Sequence, residues 1–495
     1  FEQKNNLRFL REYQLKAIHS IQKAVKEGKT RFLFEMATGT GKTLTSAAVI
    51  KLFLRTGNAK RVLFLVDRLE LEEQANKSFI HLLKNDYTSV IYKERRDDWN
   101  RSEIVVTTVQ SLLFNDKYRR NFSPTDFDLV ISDEAHRSIG GNSRAVFEYF
   151  IGYKLGLTAT PKNYLKSVKN SSETHDPRDF ETRLMLDTYK TFGCESGEPT
   201  FRYSLVDGVK DGVLINPITV DARTSITTQI LSDQGYSVIM TDDIGNDSEQ
   251  TYYHRDFEKK FFSEATNRVF CETFLQNALR DPISGEIGKS IFFVVSQKHA
   301  IKITQILNVL ADTFFPDKYH SDFAMQVTSQ IQDAQKYTQD FSHNNNNLRG
   351  AENFLESYKT SKTRVCVTVG MMTTGYDCQD LLNVVLLRPI FSPSEFVQMK
   401  GRGTRLFHFS ERLFDPELKE QFKDVHKSQF KLFDFFANCE YFEEKFNYDE
   451  VLKLPKPRSP SDSDIVSPPP PGIYENFEPD KVQIIKEQQI GLEGM

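Results

Sequence analysis

The 495-residue chain lacks the marks of several protein classes. Its five cysteines, Cys194, Cys271, Cys366, Cys378 and Cys439, are odd in number, scattered and never spaced C-x-x-C. That excludes a disulfide framework and a zinc site of the usual spacing, and fits a reducing cytoplasm. No run approaches the ~18 uninterrupted apolar residues of a membrane-spanning helix, so no membrane partner is expected. Charge of one sign is also missing, since 64 Lys and Arg against 68 Asp and Glu leave a net charge of −4. A uniformly basic nucleic-acid binder is thereby excluded, while a basic groove on an acidic body stays open. A signal peptide is lacking too, and the start at Phe1 fits a piece of a longer polypeptide. What is present, 39% apolar and 27% charged residues, is the composition of an ordinary globular protein. At roughly 100–200 residues per domain, the length predicts about three domains.

Short apolar runs at 31–35, 61–66, 103–109, 129–132 and 153–157 alternate with amphipathic stretches such as 43–55 and 69–83. Runs apolar on both faces are what a parallel sheet covered by helices requires. The pattern predicts a doubly wound α/β domain over 1–216, with 161–216 as a polar insertion or hinge. A second series at 290–295, 323–327, 364–369, 384–387 and 431–436 predicts a similar domain over 217–440. Segments 241–250 and 344–347 read as mobile loops. Seven of the eighteen prolines fall between Pro455 and Pro471, so 441–495 reads as a stiff Pro-rich linker and a short tail. The tail is expected to dock on another element or to lead toward a further domain.

The strongest chemical signal is Met36-Ala37-Thr38-Gly39-Thr40-Gly41-Lys42-Thr43, between an apolar run and an amphipathic helix. In that context a glycine loop wraps phosphates with backbone N–H groups, Lys42 reaches the β- and γ-phosphates, and the Thr43 hydroxyl binds Mg²⁺. Met36 stands where the strict phosphate-loop pattern has glycine, and a plain glycine turn is the bland alternative. Asp133-Glu134-Ala135-His136 ends the run 129–132. In such a site the first carboxylate holds the metal through water and the second takes a proton from the attacking water.

With Thr158-Ala159-Thr160 and the downstream Gln398-Met399-Lys400-Gly401-Arg402-Gly403-Thr404-Arg405, these strings resemble the ordered motif set of superfamily 2 helicases and translocases. The resemblance covers about residues 7–440 and implies two tandem RecA-like domains. Gln398, Arg402 and Arg405 are spaced i, i+4, i+7, which predicts one helical face, with Phe396, Met399 and Leu406 anchoring another. Two guanidiniums so placed can reach γ-phosphate oxygens as arginine fingers. A solvated basic face is the alternative, against which Gly401 and Gly403 count, because they weaken a helix that had no need of close approach.

The resemblance also implies that Leu10-Arg11-Glu12-Tyr13-Gln14 reads adenine, with Arg11 and the Gln14 amide favouring ATP. Without it the string is only a helix start. Thr374-Gly375-Tyr376-Asp377 resembles the motif that couples the ribose and γ-phosphate side to nucleic acid, through Gly375 and Asp377. Expected track contacts on DNA phosphates are Arg68, Thr107, Thr108, Ser296 and Thr328, although a threonine at a strand end is also an ordinary cap.

Longer strings narrow the resemblance to the motor (R) subunit of type I restriction endonucleases. They are Tyr203-Ser204-Leu205-Val206-Asp207-Gly208-Val209-Lys210-Asp211-Gly212-Val213-Leu214, Val385-Leu386-Leu387-Arg388-Pro389-Ile390, Gly401 to Leu406, and Leu432-Phe433-Asp434-Phe435. The match implies an ATP- and Mg²⁺-dependent double-stranded DNA translocase partnered by methyltransferase and specificity subunits. The family's PD-(D/E)-x-K nuclease domain is not expected in this chain. Asp415-Pro416-Glu417-Leu418-Lys419 imitates its string, but with the acids too close together for a metal-binding core on a sheet. Hydrolysis and movement without cutting are expected. Another superfamily 2 DNA or RNA helicase, or a nucleic-acid-binding ATP switch that does not hydrolyse, are the alternatives.

Overall fold

Strands form where the sequence is apolar on both faces. The computed structural model describes residues 10–83, 86–93, 97–138, 141–161, 188–194, 197–221, 264–328, 334–344, 357–370, 372, 377–388, 390, 393–436, 438–439 and 486–489. Its two compact units divide between Asp211 and Gly212. In unit 1 the strands are β1 (Arg31–Met36), β2 (Val62–Val66), β3 (Ser89–Ile91), β4 (Ile104–Thr108), β5 (Leu129–Ser132), β6 (Tyr153–Thr158) and β7 (Phe201–Tyr203). They lie in the order β3-β4-β2-β5-β6-β1-β7, every pairing parallel. Helices α1 (Glu12–Lys26), α2 (Lys42–Arg55) and α3 (Leu69–Leu83) belong to the same unit. Every residue of β2, β4 and β5 is buried, as a sheet covered on both faces demands.

Unit 2 repeats the plan with β8 (Pro217–Asp221), β9 (Lys289–Val294), β10 (Ala324–Gln326), β11 (Val365–Thr368), β12 (Leu381–Leu387), β13 (Phe430–Asp434) and β14 (Lys486–Gln489). The order is β10-β11-β9-β12-β13-β8-β14, parallel except for the antiparallel β14. Alternate residues serve opposite cores: Phe292, Val294, Val385 and Phe433 pack in one, Ile291, Phe293, Val384 and Leu432 in the other. The architecture is α/β, two RecA-like domains in tandem.

Two differences from the sequence pattern have physical causes. The polar stretch 161–216 contains β7, which pairs with β1 at the sheet edge, and a helix Leu205–Lys210 closed by a Ser204–Asp207 capping box. An edge strand of three residues carries too little periodicity to be read. The tail docks through β14 on β8. Segments 241–250, 345–347 and the Pro-rich 455–471 lie outside the described residues.

At the start of β1, Arg31 and Lys154 both bind Glu148, at 2.6 and 2.8 Å. Burial pushes the Glu148 carboxyl up, but the hydrogen bonds from Arg31 and Lys154 outweigh it and hold the group at about 2, against an ordinary 4.5. A depressed carboxylate contributes stability above its unfolded pKa and loses it as pH falls toward the folded one. Trp99, the single tryptophan, is buried in the same core as Phe147. Urea unfolding followed by its fluorescence should therefore show Glu148→Gln about 1–2 kcal/mol less stable at pH 7. The gap should close between pH 4.5 and about 2; a gap independent of pH would contradict the ion-pair assignment.

Candidate nucleotide site

In a parallel sheet all strands end on one edge, so the loops after β1, β2, β4, β5 and β6 gather there. The loop after β1 runs through Gly39 (φ 95°) and Gly41 (φ 77°), left-handed conformations that glycine adopts without strain. A Cβ on Gly41 would also lie 2.9 Å from Gln14 Nε2, so a larger residue there would displace that amide. Thr40 folds back on the loop, its hydroxyl donating to the Ala37 carbonyl at 2.7 Å. Lys42 opens α2 with its Nζ donating to the Met36 carbonyl at 3.3 Å, and Thr43 follows in the first turn. Thr38, Gly39, Lys42 and Thr43 are half-buried. The first turn of α2 holds no acidic residue, so nothing offsets its partial positive charge toward an anion.

The carboxylate pair lies on the neighbouring strand end. Asp133 N–H donates to the Leu65 carbonyl at 2.9 Å, fixing the β5 terminus to β2. Glu134 takes a left-handed φ of 49° and donates its N–H to Asp133 Oδ1 at 3.1 Å. A non-glycine residue held there stores strain of about 1–3 kcal/mol, the kind of feature that clusters at functional sites. Burial, then repulsion by Glu134, pushes Asp133 up to about 6, with Lys42 opposing. Glu134 Oε2 is buried without a hydrogen-bond partner. A buried, mutually repelling acid pair opposed by a single loop ammonium is a carboxylate set that suits Mg²⁺. Thr43 and Asp133 would hold it.

His136 was quoted only as part of the acid motif, but it ties two motifs together. Its buried ring places Nδ1 3.0 Å from Thr158 Oγ1 and 3.6 Å from Glu134 Oε2, while Thr158 Oγ1 accepts from Thr160 N–H at 3.0 Å. His136 thus ties the acid motif to the end of β6.

The adenine element is wired differently from a free reading amide. Gln14 Nε2 donates to the Thr40 carbonyl at 3.2 Å, and its Oε1 accepts from Arg11 N–H at 3.0 Å. Each end of the amide holds one loop contact and keeps one N–H or one lone pair for adenine; Arg11 itself is exposed. Tyr13, which sequence reasoning did not single out, donates to the same Thr40 carbonyl at 2.6 Å. Its ring stacks on Tyr203 at 3.9 Å, and Tyr203 donates to Asp211 at 2.8 Å, where the chain passes from unit 1 to unit 2. The Ala37 N–H donates to the Tyr203 carbonyl at 2.9 Å. The phosphate loop is therefore braced by α1 and β7 together. Tyr13 and Tyr203 both stood in quoted strings, but nothing in a linear sequence says that two tyrosines so far apart stack.

In unit 2 the helix Pro393–Lys400 ends before the arginines, which corrects the expected single helical face. Residues 401–403 turn, and Arg405 is extended, bridging Leu214. Gly403 explains the break. A Cβ on it would sit 2.1 Å from the Phe430 ring, so the chain turns there to pass over that ring. Phe396 and Met399 are buried as expected, but Leu406 is 38% exposed and anchors nothing. Gln398 is buried with both amide atoms lacking hydrogen-bond partners, whereas Arg402 Nε donates to the Gln398 carbonyl at 3.2 Å. Arg405 Nε donates to Asp377 Oδ1 at 3.0 Å, so two predicted site residues bind each other. Gly375 lies outside the described residues.

Among the expected DNA contacts, Arg68 is partly exposed beside Asp67. Thr107, Thr108 and Thr328 are buried; Thr108 and Ser296 cap the helices that follow them, and Thr328 donates to Gln297 Oε1. Capping is the role the residue type most often takes. Asp415 likewise caps the helix Pro416–Gln421, the structural role of the nuclease-like string.

Residues 8–163 match the family profile described as "Type III restriction enzyme, res subunit". The chain is 29% identical over 459 residues to the type I restriction enzyme EcoKI endonuclease subunit of Escherichia coli strain K12, covering 86% of this chain and 34% of that protein. Identity to the EcoAI endonuclease subunit of Escherichia coli is 28% over 411 residues, covering 80% and 44%. The chain thus spans between a third and a half of the length of these relatives. Among solved structures, the fragment of a putative HsdR subunit of a type I restriction enzyme from Vibrio vulnificus YJ016 aligns with a TM-score of 0.56 and 25% identity, over 88% of this chain and 65% of that one. The chain carries a superfamily 2 helicase-type core and resembles the endonuclease (R) subunits of type I restriction enzymes.

Proposed function

We propose that the chain is an ATP-dependent double-stranded DNA translocase, the motor part of a type I restriction-modification complex that works with methyltransferase and specificity subunits. The observation that supports this reading is the desolvated Asp133, tied to β2 at its N–H and electrostatically coupled to Glu134 and to Lys42 of the phosphate loop. Lys42 binds the β- and γ-phosphates, and the α2 N-terminus adds its partial positive charge. Mg²⁺, when held by Thr43 and Asp133, neutralises charge on the phosphate oxygens. Glu134, its backbone fixed by the N–H bond to Asp133 Oδ1, orients the attacking water and accepts its proton. Arg402 and Arg405, with Gln398, are assigned to the γ-phosphate charge that develops in the transition state.

The pairing of Arg405 with Asp377 divides the arginines: Arg402 is the finger, and Arg405 shapes the loop that carries it. Arg68 and Ser296 are the DNA contacts whose side chains reach the surface. Thr107, Thr108 and Thr328 are buried, and the Thr108 N–H donates to Glu72 Oε1 at 2.8 Å, so phosphate contact is assigned to Arg68 and Ser296 alone.

ATP hydrolysis by the chain should rise on adding linear duplex DNA, more than with single-stranded DNA or duplex RNA; equal rates with and without duplex would count against translocation. Glu134→Gln should lower kcat by about 10²–10⁴-fold while ATP affinity stays, as measured by binding of a fluorescent ATP analogue. Arg402→Ala should lower kcat by about 10³-fold or more and Arg405→Ala by clearly less. The reverse ranking would reassign the finger.

A further inference from the structure

Lys427 is a residue that neither motif comparison nor periodicity singles out. It lies just before β13, and it is 2% exposed. Its Nζ donates to the Gly403 carbonyl at 2.7 Å and to the Gln379 carbonyl at 3.2 Å. Gly403 belongs to the turn that carries Arg402 and Arg405. Gln379 follows Asp377, the partner of Arg405. One buried ammonium therefore spans the two segments from which unit 2 draws its proposed chemistry.

The surroundings leave the turn little freedom. Gly403 lies against the Phe430 ring, where no Cβ fits, and the same ring lies 5.7 Å from Lys427 Nζ. Thr404 accepts at its carbonyl from Ile215 N–H at 2.9 Å, and its hydroxyl donates to the Gly401 carbonyl at 2.9 Å. Lys427 is itself fixed by its N–H, which donates to the Phe407 carbonyl at 2.8 Å. Phe430 packs against the turn, and Lys427 links it to the segment after Asp377 by charge-assisted hydrogen bonds, beside the Arg405–Asp377 pair. Such bonds are roughly twice as strong as neutral ones. Burying an ammonium away from a paired carboxylate is costly, and a hydrophobic side chain would fill the space without that cost. The expense is accounted for if the two carbonyls must be held together.

Resting on the proposed ATPase, we infer that Lys427 is a positioning residue for hydrolysis, clamping the Gln379 and Gly403 carbonyls so that Arg402 is presented in its working orientation and Arg405 stays paired with Asp377. Charged and titratable groups face it from each packed segment: Cys378, Asp380 and Asp377 from the segment before β12, and Arg405 from the turn. Asp380 is already committed to Lys289 at 3.0 Å and Asn344 at 2.8 Å, so it supports the Lys427 charge from a distance only. Burial lowers the Lys427 ammonium from 10.5 to about 7, with Cys378 and Asp380 opposing. The clamp is thus fully charged below neutral pH and loses its charge assistance as pH rises through that value. It would give kcat an alkaline limb that belongs to unit 2 rather than to the acid pair of unit 1.

The test compares the wild-type chain, Lys427→Met and Lys427→Arg in ATP hydrolysis with linear duplex DNA from pH 6 to 9, together with amide hydrogen exchange of each protein. Lys427→Met should lower kcat at least ~10-fold with KM for ATP within about 3-fold, because positioning errors act on the transition state. Exchange should quicken in 401–405 and 377–380 and stay unchanged in β9 and β12, which shows that the unit remains folded. Lys427→Arg, charged at every pH tested, should recover much of the rate and remove or raise the alkaline limb. Wild-type kcat in Lys427→Met, a change in KM alone, or an alkaline limb unaltered in Lys427→Arg would overturn the inference. Faster exchange throughout unit 2 would also overturn it, since Lys427 would then be a plain stability residue. Absence of hydrolysis by the wild type would fell the proposed function as well, and is seen before any variant is measured.

Discussion

A parallel sheet buried on both faces can present chemistry along only one edge, and that constraint organises each half of this protein. Because every strand pairing of unit 1 is parallel, the phosphate loop, the acid pair and the β6 terminus have no alternative to lying side by side. The hydrogen bond from Asp133 N–H to the Leu65 carbonyl and the register of Glu35 with Thr158 turn that topological necessity into fixed distances. Unit 2 obeys the same rule, with Ser296, Thr328 and Arg388 following the ends of β9, β10 and β12.

Electrostatics then separates groups that stabilise from groups that act. Glu148 has two cations and is held low, near 2, so it stays charged and structural. Asp133 has one opposing ammonium against burial and a neighbouring carboxylate, and is raised to about 6. The first arrangement is complete in itself. The second leaves two carboxylates under-compensated by the one ammonium that opposes them. The orphaned amide of Gln398 and the left-handed Glu134 belong to the same class of uncompensated features.

Much of this was legible from sequence because the strongest signals are local. Runs of both-face apolar residues located most of the long strands to within a residue or two, although β12 begins three residues before its run and β8 had none, and the glycines at 39 and 41 marked left-handed positions in a phosphate loop. Three-residue strands such as β3 and β7, and the polar β14, carry no readable period and become strands only through their neighbours. The helical face proposed for Gln398, Arg402 and Arg405 failed because spacing was followed through two glycines. Gly403 was needed for close approach, but to the Phe430 ring, and that contact ends the helix. Lys427, Tyr203 and the His136–Thr158 link were invisible because each works through a partner distant in sequence. Among the expected DNA contacts, residue type alone could not separate a phosphate ligand from a helix cap.

The coupling of phosphate loop to acid pair is tested most directly by single-turnover hydrolysis of γ-labelled ATP, comparing the wild-type chain with Lys42→Ala at saturating duplex DNA. Phosphate release about 10³-fold faster in the wild type is the predicted result. Equal rates would mean that the loop and the carboxylates, however close, do not form a hydrolytic site.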